Sequence, residues 1–356
     1  MNSLVTILVN KSLPTLRRVL RFSLCRSEIG LELNAVRSTG PLYRALRQKQ
    51  LRSESAQFPN GRVTSEFIDW NYGGKEIRIG LDRLGQGRTV LLLPALSSIS
   101  TRQEMRPLQN QLAADFTTVA IDWPGFGDQP RPKIAWAPST YANFLEHVLA
   151  YIAPEPFATI AAGHAASYAL AAAASAPGST GRLCLIAPTW RGPLPTILGA
   201  RSTHGEQIAK AGDLPVLGQL LYRLNVNRFM VCVMARGHVY SDPAWLAGER
   251  LAQKMKVVGA PGARYASIRF VTGLLDPMPD REAFIATAQR AGGPILVIYG
   301  ATTPAKSKAE IEALALLPNI RSVALPSGKL AVHEEFSDAV AEQVRSFLRE
   351  APRSVK

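Results

Sequence analysis

The sequence predicts an α/β fold, a mostly parallel, doubly wound sheet with a helical cap, and three observations carry that prediction. Short apolar runs of strand length recur from Val90 to Gly300, separated by stretches with helical spacing. One run, Phe157 to Ala162, enters an Ala-rich helix through the small-residue turn Gly163-His164-Ala165-Ala166. Strands that alternate with helices build a parallel sheet with helices on both faces. Between Trp190 and Asp276 the alternation breaks, which marks a separate helical insertion.

Taken in order, Glu66 to Tyr72 and Glu76 to Leu81 flank Gly73-Gly74 and read as an antiparallel hairpin. Val90 to Pro94 is a buried strand running into a loop, Ala95 to Thr101, and a helix is expected over Gln103 to Ala114. Thr117 to Asp122 is the next strand. Tyr168 to Ala176 is a helix closed by Pro177 and Gly178. Leu183 to Ala187 and Pro294 to Gly300 are strands, each ended by a turn signal. Within the insertion, Val216 to Leu224 and Arg228 to Met234 are apolar helical stretches.

Two motifs give these elements a family likeness. Asp122-Trp123-Pro124-Gly125-Phe126-Gly127 closely resembles the D-x-P-G-x-G loop of α/β-hydrolases. Gly163-His164-Ala165-Ala166-Ser167 resembles their G-x-S-x-G nucleophile elbow, a strained strand-to-helix turn that tolerates only small neighbours. Over residues 60–348 the chain thus resembles the α/β-hydrolase superfamily, which implies the α/β-hydrolase fold. The implied organisation is a basic N-terminal extension (1–57), a first part of the core (58–189), a cap (190–276) and a second part of the core (277–350).

The resemblance further implies a triad in the order Ser, Asp or Glu, His. At the aligned positions stand Ala165, Thr303 in Gly300-Ala301-Thr302-Thr303-Pro304, and Lys329 after Gly328. A methyl group cannot attack a carbonyl, and a lysine ammonium cannot accept the serine proton at neutral pH. His333, four residues past Lys329, reads either as a displaced base or as a histidine solvated or paired beside Glu334 and Glu335; with no acid to orient it, the second reading is preferred. For His164, core packing behind the elbow is preferred. His147, His204 and His238 are scattered, no ligand spacing is present, and no metal or cofactor is expected.

Part of the implied machinery needs no particular side chain. The oxyanion hole of this fold uses backbone N–H groups, here those of Ala166 and of Ala95 or Leu96, although Pro94-Ala95 replaces the family's H-G start. The hydroxyl cluster beginning at Ser97 is equally a polar ligand contact or turn and cap chemistry. Trp190 and Arg191 open the cap over the strand C-terminal ends, where such sheets bind ligands. Arg191 is open to holding an anionic ligand group or capping carbonyls.

Composition fits one large domain: 47% of the 356 residues are hydrophobic, enough for a full core. Cys25, Cys184 and Cys232 are too few and too dispersed for a disulfide framework. No apolar run reaches the ~18 residues of a membrane span. Residues 1–57 hold ten Lys or Arg against three Glu, half of the net charge of +14. Leu13, Leu16 and Leu20 oppose Arg17, Arg18 and Arg21, so this arm reads as an amphipathic basic helix for an anionic membrane, an organelle transit segment in a eukaryotic source, or an unstructured leader. Nucleic acid is the weakest partner, because the arm lacks aromatic interleaving. The location expected is cytoplasmic, with peripheral membrane attachment as one option, or organellar in a eukaryotic source.

The functional expectation is a non-hydrolytic binding or scaffolding protein with a pocket for a small, largely apolar ligand. The alternatives are an enzyme working without a Ser nucleophile, of lyase or cofactor-free oxygenase type, or a hydrolase with its nucleophile displaced to Ser97, Ser98 or Ser167.

Overall fold

Eight strands in the order β1-β2-β4-β3-β5-β6-β7-β8 form one sheet. The structure, a computed structural model, describes residues 63–200 and 204–350; the basic arm of residues 1–57 lies outside them. The hairpin β1 (Thr64–Tyr72) and β2 (Lys75–Leu84) pairs antiparallel in full register, from Thr64 opposite Arg83 to Tyr72 opposite Lys75. β2 also pairs antiparallel with β4 (Thr117–Ile121). Then β3 (Thr89–Leu93), β5 (Ala158–Ala162), β6 (Arg182–Ile186), β7 (Ile295–Gly300) and β8 (Ile320–Leu325) continue the sheet in parallel.

The continuous apolar runs follow from this placement. A central parallel strand is covered on both faces, so alternation disappears. All five residues of β5 and all six of β7 are buried. The edge strand β8 buries only Leu325 fully, and its mixed pattern hid it from the sequence reading. The expected helix over Gln103 to Ala114 is two elements, a 3-10 turn Arg102–Met105 and a helix Arg106–Leu112.

A buried ion network explains why a 3-10 turn sits there. Arg102, on that turn, reaches Asp122 at 2.5 Å, Asp82 at 3.2 Å and Asp128 at 3.2 Å. Asp82 belongs to β2, Asp122 follows β4, and Asp128 ends the Trp123–Asp128 loop. Arg106 adds a second cation on Asp82 at 2.6 Å. Burial lowers the affinity of the Arg102 guanidinium for its proton, but the carboxylates of Asp122, Asp128 and Asp82 more than reverse this, and it stays charged. In the loop, Gly127 takes φ +80°, and a Cβ there would strike the Asp122 carboxyl.

After β6 the chain leaves the sheet and returns at β7. In between come helices Pro193–Leu198, Gly205–Gly212, Pro215–Asn225, Arg228–Met234, Gly248–Val258 and Ala263–Val271, before Arg281–Arg290 rejoins the core. Among the described residues, no helix is long and apolar enough to cross a membrane.

Candidate functional site

The turn after β5 is built around Gly163. Its φ is +53°, a region that a side-chain-bearing residue enters only at a cost, and the helix Ala165–Ser175 begins two residues later. The Gly163 N–H donates to the Ile186 carbonyl at 2.9 Å, and its own carbonyl accepts from Thr189 N at 3.0 Å and Ala166 N at 3.2 Å. A Cβ on Gly163 would lie 3.2 Å from the Ala95 methyl, so the apex faces the loop after β3. This corrects the alignment that put Ala165 at the apex. Ala165 lies in the first helical turn with no exposed surface, and the Ala166 N–H, expected to receive a ligand oxygen, is spent on Gly163. The five residues centred on the apex are Ala161-Ala162-Gly163-His164-Ala165, with small residues on both sides.

His164 packs behind the turn. Its ring meets Phe270 and Tyr168 edge-on, and Nε2 lies 3.3 Å from the Leu275 carbonyl and 3.4 Å from Asp276. Burial pushes its pKa down to about 4, against the pull of the Leu275 carbonyl. Between pH 6.5 and about 4 the unfolded chain therefore takes up a proton that the folded chain refuses. Stability from this group is complete above the unfolded value and falls with pH, by about 3 kcal/mol across the window. Urea midpoints measured over that range should drop more steeply for the natural chain than for His164→Phe. Equal slopes would show that His164 is not the group titrating.

Opposite the apex, the loop after β3 is occupied from within. The Ala95 N–H, the second amide expected to face a ligand, donates to Glu104 Oε1 at 2.6 Å. Leu96 is buried, and Ser97 is half-buried. His333 Nε2 lies 3.6 Å from that same Glu104 oxygen, and Lys254 Nζ lies 3.6 Å from the other. Lys254 also reaches Glu334 at 3.2 Å, and Tyr240 donates its hydroxyl to Glu334 at 2.8 Å. Burial pushes the Glu104 carboxyl up, but His333 and Lys254 outweigh it and hold the group below its ordinary value. For Lys254, burial is likewise outweighed by Glu334 and Glu104, and its pKa rises. His333 is thus neither solvated nor paired with its chain neighbours: it is buried, and its partner comes from the 3-10 turn.

The remaining expected residues are dispersed. Thr303 is buried and its hydroxyl has no hydrogen-bond partner. Lys329 Nζ binds the carbonyls of Arg236 at 2.6 Å and Gly237 at 3.3 Å, so it ties the insertion to the loop after β8. Trp190 and Arg191 both meet Glu310, at 3.1 Å and 3.0 Å. Arg191, expected to meet a ligand anion or cap carbonyls, instead pairs with this carboxylate, which Arg281 also grips at 2.7 Å. Ser167 donates to the His164 carbonyl at 2.8 Å from a fully buried position.

Among the clefts of the described surface, three are lined by neither Ala165 nor Gly163. Leu96, Ala165 and Ala166 have no exposed surface, whereas Gly163 and Ala95 are half-buried. One cleft, of about 610 Å³, reaches the Glu104, Lys254 and Glu334 cluster. Although the sequence shows no ligand spacing, the fold gathers Glu104, His333 and Glu334 with ligand atoms within 4.8 Å of one another. Lys254 supplies the positive charge there, bridging both carboxylates. Sequence reasoning missed this cluster because its members come from three segments up to 230 residues apart, with no local pattern to mark them.

The sequence profile of the alpha/beta hydrolase family matches residues 90–343. No curated protein matches the chain. Among solved structures, Cfl2 from Burkholderia cenocepacia is similar at 20% identity and TM-score 0.61, covering 80% of this chain and 96% of its own. The haloalkane dehalogenase DatA from Agrobacterium tumefaciens is similar at 17% identity and TM-score 0.60, covering 80% of this chain and 96% of its own. A thermophilic esterase from Thermogutta terrifontis is similar at 16% identity and TM-score 0.61, covering 80% of this chain and 98% of its own.

Proposed function

The chain belongs to the alpha/beta hydrolase family, and we propose that it is a non-hydrolytic member, a binding or scaffolding protein built on the hydrolase frame. The observation that carries this reading is Gly163 at the elbow apex, where the family's chemistry needs a nucleophilic side chain. Two further features support it. The resemblance aligns Thr303 and Lys329 with the acid and the histidine, and Lys329 is committed to backbone carbonyls of the insertion. The Glu104 carboxylate sits on the Ala95 amide, where a hydrolase would receive the oxyanion of its substrate.

Gly163 is half-buried with the Ala95 methyl as its nearest neighbour, and binding on this reading uses the outer surfaces, chiefly those of the insertion, which takes the place of a cap. A second reading, an enzyme without a serine nucleophile, draws on the buried pair of His333 and Glu104 beside that amide. A turnover panel decides between them. On short-chain and long-chain esters and on haloalkanes, the purified chain should give no saturable rate above buffer. Saturable turnover that survives removal of trace contaminants would overturn the non-hydrolytic reading. If Glu104→Gln then abolished it, the second reading would stand.

A further inference from the structure

The helical insertion carries an inverted amphipathic surface. Helix Pro215–Asn225 turns Gly218 and Tyr222 inward, while Val216, Leu217, Leu220 and Leu224 face outward, Val216 at 82% exposure. The spacing of these four is the helical stripe that ordinarily packs into a core. On the following helix, Phe229, Val233 and Met234 are exposed as well. Of the fourteen large hydrophobic residues exposed among the described residues, eleven lie between Ile197 and Met234, so this is one surface and not scatter.

The packing puts these side chains on a common side. Helices Pro193–Leu198, Gly205–Gly212 and Pro215–Asn225 all rest on helix Ala263–Val271, and each is left with a face turned away from it. Arg264 holds that layer in place through the Gly212 carbonyl at 3.1 Å and Gln219 at 2.9 Å. Around the apolar residues, Lys210, Arg223, Arg228 and Arg236 are exposed. Of the two acids between 204 and 236, Glu206 is exposed and Asp213 is paired with Arg269 at 2.7 Å.

We propose that this face of the insertion docks on an anionic lipid bilayer, with its leucines, valines and phenylalanine entering the acyl boundary and its basic residues meeting the headgroup phosphates. Apolar helices edged with Lys and Arg lie in that interface plane. A second copy of the chain is the poorer occupant, because each copy brings a formal charge of +14 and the rim of the patch is basic on both. The inference stands apart from the chemistry of the elbow, and it uses residues distinct from the basic arm at 1–57.

The test is sedimentation of the full-length chain with phosphatidylcholine vesicles, with and without phosphatidylserine. The natural chain should pellet with the anionic vesicles and less with the neutral ones. Leu220→Asp combined with Leu224→Asp should reduce partitioning by at least ~10-fold while leaving the thermal midpoint unchanged, since both side chains are exposed. Val216→Trp supplies a readout that does not depend on loss of binding: its emission should shift blue on vesicles and be quenched by brominated lipid. Three outcomes would overturn the proposal: no vesicle binding by the natural chain, equal binding by the double variant, or a dimer of the natural chain that the double variant converts to monomer.

Discussion

Replacing Arg102 with methionine is expected to lower the free energy of unfolding by about 3–5 kcal/mol, one of the largest effects of any single change in this chain. The guanidinium is 5% exposed and faces three carboxylates, Asp82, Asp122 and Asp128, of which the first two are at most 2% exposed. Methionine fills much of the same volume but leaves buried negative charges facing one another. Arg106 compensates only at Asp82. Arg102→Lys should recover part of the loss, because it restores the charge without the planar fork that serves several oxygens at once. Urea unfolding of the three proteins at neutral pH measures this. A loss below about 1 kcal/mol for Arg102→Met would show that the network is dispensable.

The same change should reach the site, because Arg102 and Glu104 share one 3-10 turn. The Arg102 amide donates to Asp122 at 2.5 Å, which anchors the turn to the end of β4. Two residues on, Glu104 is delivered to the Ala95 amide. The ion network thus positions the carboxylate that takes the Ala95 amide opposite the elbow.

The frame was legible in the sequence because it depends on local periodicity. Val90 to Leu93, Phe157 to Ala162 and Pro294 to Gly300 are apolar without interruption since both faces of their strands are covered, and all three lie in the sheet. The hairpin around Gly73-Gly74 was equally plain. The site was less so. Anchoring on Gly163-His164 placed Ala165 at the apex, and only the backbone, with φ +53° at Gly163, locates the turn two residues earlier. The Glu104, His333, Lys254 and Glu334 cluster and the Glu310 clamp on Trp190 and Arg191 are contacts between distant segments, and spacing carries no trace of those.

Rebuilding the family's triad should demand several changes together. Gly163→Ser alone is expected to keep ester turnover within ~10-fold of background, because an unassisted serine hydroxyl is a poor nucleophile. A new Cβ would also sit 3.2 Å from the Ala95 methyl, which must give slightly, and φ +53° strains any side chain there. Thr303→Asp and Lys329→His would restore the residue types that the resemblance implies for the acid and the base. Even then Glu104 holds the Ala95 amide, and a missing oxyanion donor costs about 10²–10³ in kcat. Adding Glu104→Ala to the triple variant should therefore raise turnover by about 10²-fold. A triple variant that already works at full rate would show that the amide is not obstructed.

The most direct measurement is intact-mass analysis of the natural chain after treatment with a serine-directed fluorophosphonate, with Gly163→Ser alongside. The expected result is no added mass on either protein, because the natural apex has no side chain and the variant serine has no base. A stoichiometric adduct on the natural chain, mapped to Ser97, Ser98, Ser167 or any other serine, would contradict the account by revealing an activated nucleophile elsewhere in the fold.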